Sequence, residues 1–419
     1  MSCASCHGND GRGRPEGGVT PPRIRWEDLT RNYDVSSETG RRHGSYNDTL
    51  LVRAIAMGID PAGNRLGDAM PRFALSRADA NDLIAYLKRI SGDHDPGISD
   101  EILRIGSIPA PGEEAARAAL TAYFADLNQS GGIYGRRIEL TFGTAPRVGE
   151  FLAKQPVFAL LDVFVAGAEN DAMAAINREK IPVIGCGTLL PVVNAGANPY
   201  VFYLDSGVAG QAGALAEFAA NRYREALLVV GADALSRAAE TAARGKWPGK
   251  LETVAPGSVS WLQDPARADA VFLLCPESSA LEALRVLPRG SRTTFLIPGG
   301  FATETVVRKL RTLGNRGFLS VPFLPADVTP GASSLYTRLA VAYALPRDHL
   351  HAQYTALCDA AILVEGLKRA GRDLSRVDLK ESIEGLYDFS CGFGQAVTFS
   401  SSRHAGITQY HIVELKGTD

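Results

Sequence analysis

Cys3, Cys6 and His7 form a C-x-x-C-H pentad at the very start of the 419-residue chain, and a methionine, Met70, stands downstream in the turn-rich stretch "GNRLGDAMPRF". A C-x-x-C pair alone suits a redox couple or half of a tetrahedral zinc site, but no second pair follows to complete the zinc tetrahedron. With a histidine directly after the second cysteine, the spacing suits covalent haem attachment. The two thiols add to the vinyl groups, the imidazole sits beneath the iron as an axial ligand, and a thioether from a later loop closes the opposite side. Met57 is the competing thioether, but it lies in the apolar helical run "TLLVRAIAMG" and is expected in the core. His43 and His94 stand in polar, turn-rich contexts and are expected to face solvent.

The elements that must hold these residues fall into two textures. Residues 1–92 are rich in Gly, Arg and turn formers, with one amphipathic helix, "SRADANDLIAYLKRI". Ser76 is placed to cap it, and Leu83, Ile84, Leu87 and Ile90 recur on one face. Residues 93–100, within "SGDHDPGISD", lack apolar periodicity and read as a linker. From residue 101 short apolar runs ("ILRIGSI", "VFALLDVFVAG", "IPVIGCG", "ALLVVGA", "AVFLLC", "TTFLIPGG") alternate with helical stretches, which predicts parallel sheets in an α/β fold. A formal charge of -2 gives no basic footprint for nucleic acid. No run reaches the roughly 18 apolar residues of a membrane span. Cys186, Cys275, Cys358 and Cys391 lie far apart and are expected as packing residues.

Residues 3 to about 90 resemble a class I cytochrome c: Cys3 to His7, then the proline loop "VTPPRIRWEDL", the glycine segment "AIAMGIDPAGNRL", "AMPRF", and the helix ending "IAYLKRI". The resemblance implies a small all-α domain with one covalent haem c on Cys3 and Cys6, iron held by His7 and Met70, and a Pro21 or Pro22 carbonyl orienting the His7 ring. Trp26 and Tyr86 are expected to pack near the porphyrin or the helix. Such domains carry a helix before the first cysteine, and only Met1 and Ser2 precede Cys3 here. Leu83, Ile84 and Leu87 are therefore expected to lack a partner, and a signal peptide and first helix are expected upstream, because this haem attachment takes place after export.

The stretch "ILRIGSIPAPGEEAARAALTAYFADLNQSGGIYGRRIELTF" and the later "YTALCDAAILVEGLKRAGRDLSRVDLKESIEGL" and "FGQAVTFSSSRHAGITQYHIVELK" are similar to solute receptors of the leucine/isoleucine/valine-binding type, the type I periplasmic binding proteins of ABC transporters. The implied fold over 101–419 is an α/β pair of Rossmann-like lobes, about 101–206 with 326–395 and 207–325 with 396–419, clasping a small solute between them. The cleft loops of that family place the expected contacts on Glu169 and Asn170 ("VAGAENDA"), Thr188 ("GCGT"), Leu235 and Ser236 ("DALSR"), and the wall residues Pro276, Glu277, Gly299, Gly300 and Phe301. Serines and a tyrosine that clamp an α-amino acid in the family are replaced, which argues for a non-amino-acid solute.

No G-x-S-x-G elbow, Walker loop, histidine cluster or matched carboxylate pair occurs, and "GVAGQAG" does not open a dinucleotide-binding unit, so the expectation is a carrier and receptor and not an enzyme. Two functions follow. One is a periplasmic electron carrier whose receptor portion senses or docks a small organic solute, with a periplasmic dehydrogenase or other redox protein as partner. The other is an uptake receptor serving ABC-transporter membrane subunits, with a passenger cytochrome.

Overall fold

The computed structural model describes residues 2–8, 10–13, 20–31, 35–36, 40–92, 94–110, 112–258, 269–285 and 293–415, and Val19 and Asp93 of the expected proline loop and linker lie outside them. Two units divide the chain between Asp95 and Pro96.

The first unit contains α1 (Cys3–His7), α2 (Trp26–Leu29), the short antiparallel pair β1 (Val35–Ser36) and β2 (Arg42–His43), α3 (Asp48–Met57) and α4 (Arg77–Gly92). Local chemistry sets the helix limits. The Asn47 side chain accepts from Leu50 N at 2.9 Å and starts α3, and Gly58 ends it in the left-handed conformation at φ 69°. Ser76 and Asp79 exchange reciprocal hydrogen bonds at the start of α4, its Oγ accepting from Asp79 N at 3.1 Å. The expected unpartnered face of α4 is in fact covered. Ile84, Leu87 and Ile90 are buried with Leu29, Leu51 and Ile55, and Leu83 packs against the same cluster. At roughly 1.5–3 kcal/mol per fully buried aliphatic side chain, this cluster is what fixes α4 on α2 and α3. Met57 departs from expectation: as the last residue of α3 it is 69% exposed, not core. Tyr86 is also exposed, because it points away from the stripe of α4 that Ile84, Leu87 and Ile90 define.

In the second unit, β3 (Ile102–Ile108), α5 (Glu114–Gln129), β4 (Arg137–Phe142), α6 (Val148–Lys154), β5 (Ala159–Phe164), α7 (Glu169–Glu179), β6 (Val183–Gly187) and β7 (Val201–Asp205) build the first lobe. The chain then crosses to α8 (Gly207–Ala220), β8 (Ala226–Val230), α9 (Ala234–Lys246), β9 (Leu251–Val254), β10 (Ala270–Leu274), α10 (Glu277–Arg285), β11 (Thr294–Pro298), α11 (Glu304–Leu313) and β12 (Gly317–Val321). It returns through α12 (Pro330–Ala342), α13 (Leu350–Ala370), α14 (Arg376–Glu384), β13 (Ala405–Ile407) and β14 (His411–Leu415). Two six-stranded sheets result, in the orders β13-β7-β6-β5-β3-β4 and β14-β12-β11-β10-β8-β9. All pairings in them are parallel except β14 on β12. The inner strands, such as β8, β10 and β11, read as unbroken apolar runs because helices cover both faces, while the edge strands β4, β9 and β14 carry charged residues.

Three expectations need correction. The chain does not leave the first lobe near residue 396: β13 still pairs with β7, so the last crossing lies between Ile407 and His411. Part of the expected linker belongs to the receptor, since Arg104 N donates to Gly97 O and Ile98 bridges to Leu103. Cys358 and Cys391 are not merely packing residues but form a disulfide with Cα atoms 5.1 Å apart, which ties α13 to the segment before β13. Cys186 and Cys275 are buried free thiols, as expected.

The crossings are pinned to one another. Ser206 N donates to the Tyr410 hydroxyl at 3.0 Å, that hydroxyl donates to Asp205 Oδ1 at 3.3 Å, and His411 Nε2 lies 2.8 Å from Asp327 Oδ2.

Candidate functional site

In the first unit, α1 presents Cys3 exposed and Cys6 half-buried, both as free thiols one helical turn apart. His7, beside them, is 7% exposed. Its Nδ1 lies 2.9 Å from Pro22 O. A carbonyl only accepts, so Nδ1 carries the hydrogen and Nε2 keeps a lone pair for a metal. Two backbone bonds hold the loops in place, Gly13 N to His7 O at 2.8 Å and Ile24 N to Gly11 O at 2.7 Å. Gly13 is required there: at φ 78°, a Cβ would stand 2.2 Å from Pro21 O.

Met70 sits in the loop between α3 and α4. The loop is fastened by Phe73 N to Ile55 O at 3.2 Å and by the Arg72 guanidinium, which donates to Leu66 O at 2.9 Å and to Met70 O. The Met70 side chain is half-buried against the cluster of Leu29, Leu51 and Leu87. Two thiols on one helical face, an imidazole with its outer nitrogen fixed as donor, and a half-buried thioether make a donor set that fits a covalent haem. Of the two expected solvent-facing histidines, His94 is exposed, while His43 is half-buried with its ring 5.2 Å from that of Tyr46. Trp26 is half-buried with Lys88 Nζ 4.3 Å above its ring.

In the receptor unit, the loops at the carboxyl ends of β5 and β6 come together. Glu169 Oε2 accepts from Gly167 N at 3.0 Å, and Thr188 Oγ1 donates to Glu169 Oε1 at 3.2 Å. The Glu169 carboxylate is thus spent on its own helix start and the neighbouring loop. Asn170 is exposed beside it. In the second lobe Ser236 is fully buried, with its Oγ 2.6 Å from Asp233 Oδ2 and its N capped by the same carboxylate, so it supports the turn and does not face a solute. Leu235 packs partly against the lobe core and Phe301 is buried in it. Gly300 N donates to Gln211 Oε1 at 2.8 Å, while Pro276 is exposed and Glu277 half-buried at the start of α10.

The structure adds residues that the motif reading passed over. Asp162, in β5, stands at φ 50°, and Asp359, in α13, is 1% exposed. Burial, then the neighbouring Glu113, pushes the Asp162 carboxyl up to about 7. Burial, then Asp162, pushes Asp359 well above the usual carboxylate range. Burial, then Asp359 and Glu169, likewise raises the Cys186 thiol. The signal was present in the sequence as a lone aspartate inside each of two apolar runs, "VFALLDVFVAG" and "YTALCDAAILVEG".

With the fold laid out, comparison with known proteins is direct. The family model described as periplasmic binding protein matches residues 105–419. The chain belongs to that family. The model for cytochrome c matches residues 1–91, so a cytochrome c domain is fused ahead of the receptor domain. Among solved structures the fatty acid ABC transporter substrate-binding protein of Thermomonospora curvata is similar at 15% identity and TM-score 0.57, over 77% of this chain and 94% of its own. A putative branched-chain amino acid ABC transporter protein of Rhodospirillum rubrum is similar at 15% identity and TM-score 0.58, over 74% and 96%. A branched-chain amino acid ABC transporter protein of Thermus thermophilus with bound valine is similar at 19% identity and TM-score 0.55, over 77% and 94%. At these identities the likeness is one of fold. No curated protein matches the chain. The two-lobed receptor fold carries a solute-binding role, and the cytochrome c domain implies haem c.

Proposed function

We propose that this periplasmic-binding-family protein is an exported electron carrier: a c-type cytochrome whose receptor domain binds a small organic solute that is not an α-amino acid. The observation that carries the reading is the 2.9 Å contact of His7 Nδ1 with Pro22 O, which sets the tautomer and ring direction that an axial ligand needs. Bound haem supplies one-electron chemistry at its iron. The chain's own residues do the rest: Cys3 and Cys6 anchor it, His7 and Met70 ligate it, and the Arg72-fastened loop keeps Met70 in place. The Cys358–Cys391 disulfide suits the oxidising compartment in which such attachment occurs. A periplasmic dehydrogenase or another redox protein is the proposed electron partner.

The solute class follows from the loops. Glu169 is engaged by Gly167 and Thr188, Ser236 is buried on Asp233, and Leu235 stands where a family tyrosine is expected, so the groups that would clamp a carboxylate and an ammonium on one carbon are missing. Leaving such groups unpaired costs several kcal/mol, roughly a thousandfold or more in affinity. The test expresses the chain with an export signal and a cytochrome maturation system, then applies a haem stain to the denatured protein and calorimetry against leucine and a panel of small alcohols, acids and amines. Expected are a haem-positive band and leucine binding no tighter than millimolar. A haem-negative chain with micromolar leucine binding would instead establish an amino-acid uptake receptor serving ABC-transporter membrane subunits.

A further inference from the structure

We propose that the first lobe receives a protonated nitrogen of the solute, an alkylammonium group, against Asp162 and Asp359. This rests on the solute-receptor reading and names the chemical class of its ligand.

The argument starts in the backbone. In a regular strand, residues two apart share a face. In β5, however, Leu161 packs in the core beneath α5 and α13, while Val163 packs in the core on the opposite side. The same happens one strand over: Ile184 lies in the first core and Cys186 in the second. The interruption falls at one level of the sheet, because Leu161 is in register with Ile184 and Val163 with Cys186, which sets Asp162 opposite Gly185. Both residues are in the left-handed region, at φ 50° and 75°. The pairing of β3 with β5 shifts register at this level as well, between Ser107 and Ile108. An extra residue of this kind re-aims a side chain, and a left-handed aspartate in a strand is a strained conformation that the surroundings must hold.

What occupies the space so made is the Asp359 carboxylate. A Cβ on Gly185 would stand 1.9 Å from its Oδ2, so the glycine is there to admit the acid. Asp359 is 1% exposed and its Oδ1 has no hydrogen-bond partner, and neither does Asp162 Oδ2. Thr355, one helical turn before Asp359 on α13, has an unpartnered hydroxyl too. No Lys, Arg or His pairs with either aspartate among the described residues. Nor does any group of three or more His, Cys, Asp or Glu suited to a metal ion occur among them.

A partner that satisfies the two acids in their ionised form brings positive charge and several N–H donors. An alkylammonium does both: it has three donors and no acceptor, against two carboxylate oxygens and a hydroxyl that lack donors. An alcohol brings one donor and no charge, and a carboxylate brings neither. Asp162 is half-buried near the carboxyl end of β5, the end whose loops, with those of β6, carry Glu169 and Thr188 and where solutes of two-lobed α/β folds enter.

The test is calorimetry on the full haem-loaded chain with benzylamine, benzyl alcohol and benzoate, three probes of one size. Expected is amine binding at least about tenfold tighter than alcohol, with no detectable benzoate binding. Asp162→Asn and Asp359→Asn should each weaken the amine about tenfold or more and leave the alcohol within about twofold. Should Asp359→Asn fail to fold, Asp162→Asn alone decides. Amine binding no tighter than alcohol binding, or unchanged in the folded Asn variants, overturns the proposal. Lobe closure seen by X-ray scattering with the alcohol or the acid but not the amine overturns it while leaving the receptor reading intact. Failure of all three probes also overturns it, and the receptor reading is then decided by the wider solute panel.

Discussion

His7 and Pro22, fifteen residues apart, are joined by a 2.9 Å contact between the imidazole Nδ1 and the proline carbonyl oxygen. One ring nitrogen is thereby committed to the protein and the other is left directed elsewhere. Residues 10–13 and 20–24 frame that bond, with Gly11 and Gly13 giving the close backbone passages it needs.

Met70→Ala should abolish the weak sulfur-to-iron absorption band of the ferric haem-loaded protein. It should also lower the midpoint potential by about a tenth of a volt or more, within the roughly 0.8 V that axial ligation spans. Absorption spectra and a redox titration check both. An unchanged spectrum would move the ligand assignment to Met57 or a histidine.

Breaking the Cys358–Cys391 bridge with a double alanine variant should destabilise the receptor unit by about 2–4 kcal/mol, since a closed loop of 33 residues restrains the unfolded chain. Denaturant unfolding with and without reductant measures it. Wild type under reductant should converge on the variant.

Asp162→Asn should stabilise the ligand-free protein at pH 8. The folded carboxyl titrates at about 7, above its ordinary 3.8, because burial and then Glu113 oppose the charge. Between those values the folded form keeps a proton that the unfolded form has released, so stability falls as pH rises through that window and is level above it. The gain in the variant is on the order of 2 kcal/mol at pH 8, discounted for the partial exposure of Asp162, and should vanish toward pH 4. Thermal melts of both proteins across pH 4–8 are the check, and a gain independent of pH would refute it.

Glu384→Gln should act in the opposite sense. Burial works against its charge, but hydrogen bonds from His404 and Lys380, at 2.9 Å and 2.7 Å, outweigh it and hold the carboxyl below its ordinary value. The stability this contributes is present above the unfolded value and lost as pH falls through the folded one. The variant should be weaker by roughly 1–3 kcal/mol near neutrality, and the gap should close in acid. Melting curves at pH 7 and in acid separate the two.

Periodicity and motif spacing made the fold legible where the elements are regular. The apolar runs became strands, Ser76 caps α4, and the C-x-x-C-H turn sits against a proline carbonyl. Most of the misses share a physical cause, namely contacts between residues distant in sequence. The Cys358–Cys391 pairing and the seat of β13 beside β7 depend on how the last crossing closes. Met57 shows the limit of periodicity, because an apolar run does not reveal which residue is the last of its helix. Asp162 and Asp359 are each one acid in an apolar stretch, and they are related only through Gly185, which lies opposite Asp162 across β5 and β6 and against the Asp359 carboxylate.

Tyr410 and His411 are consecutive, yet one is bound to the first crossing, at Asp205 and Ser206, and the other to the second, at Asp327. The third crossing therefore acts as a rigid tie bar between the other two. A motion that lengthens one of these bonds loads its neighbour, because the two residues are adjacent in the chain. A change at either residue should therefore alter the opening and closing rates of the two lobes together.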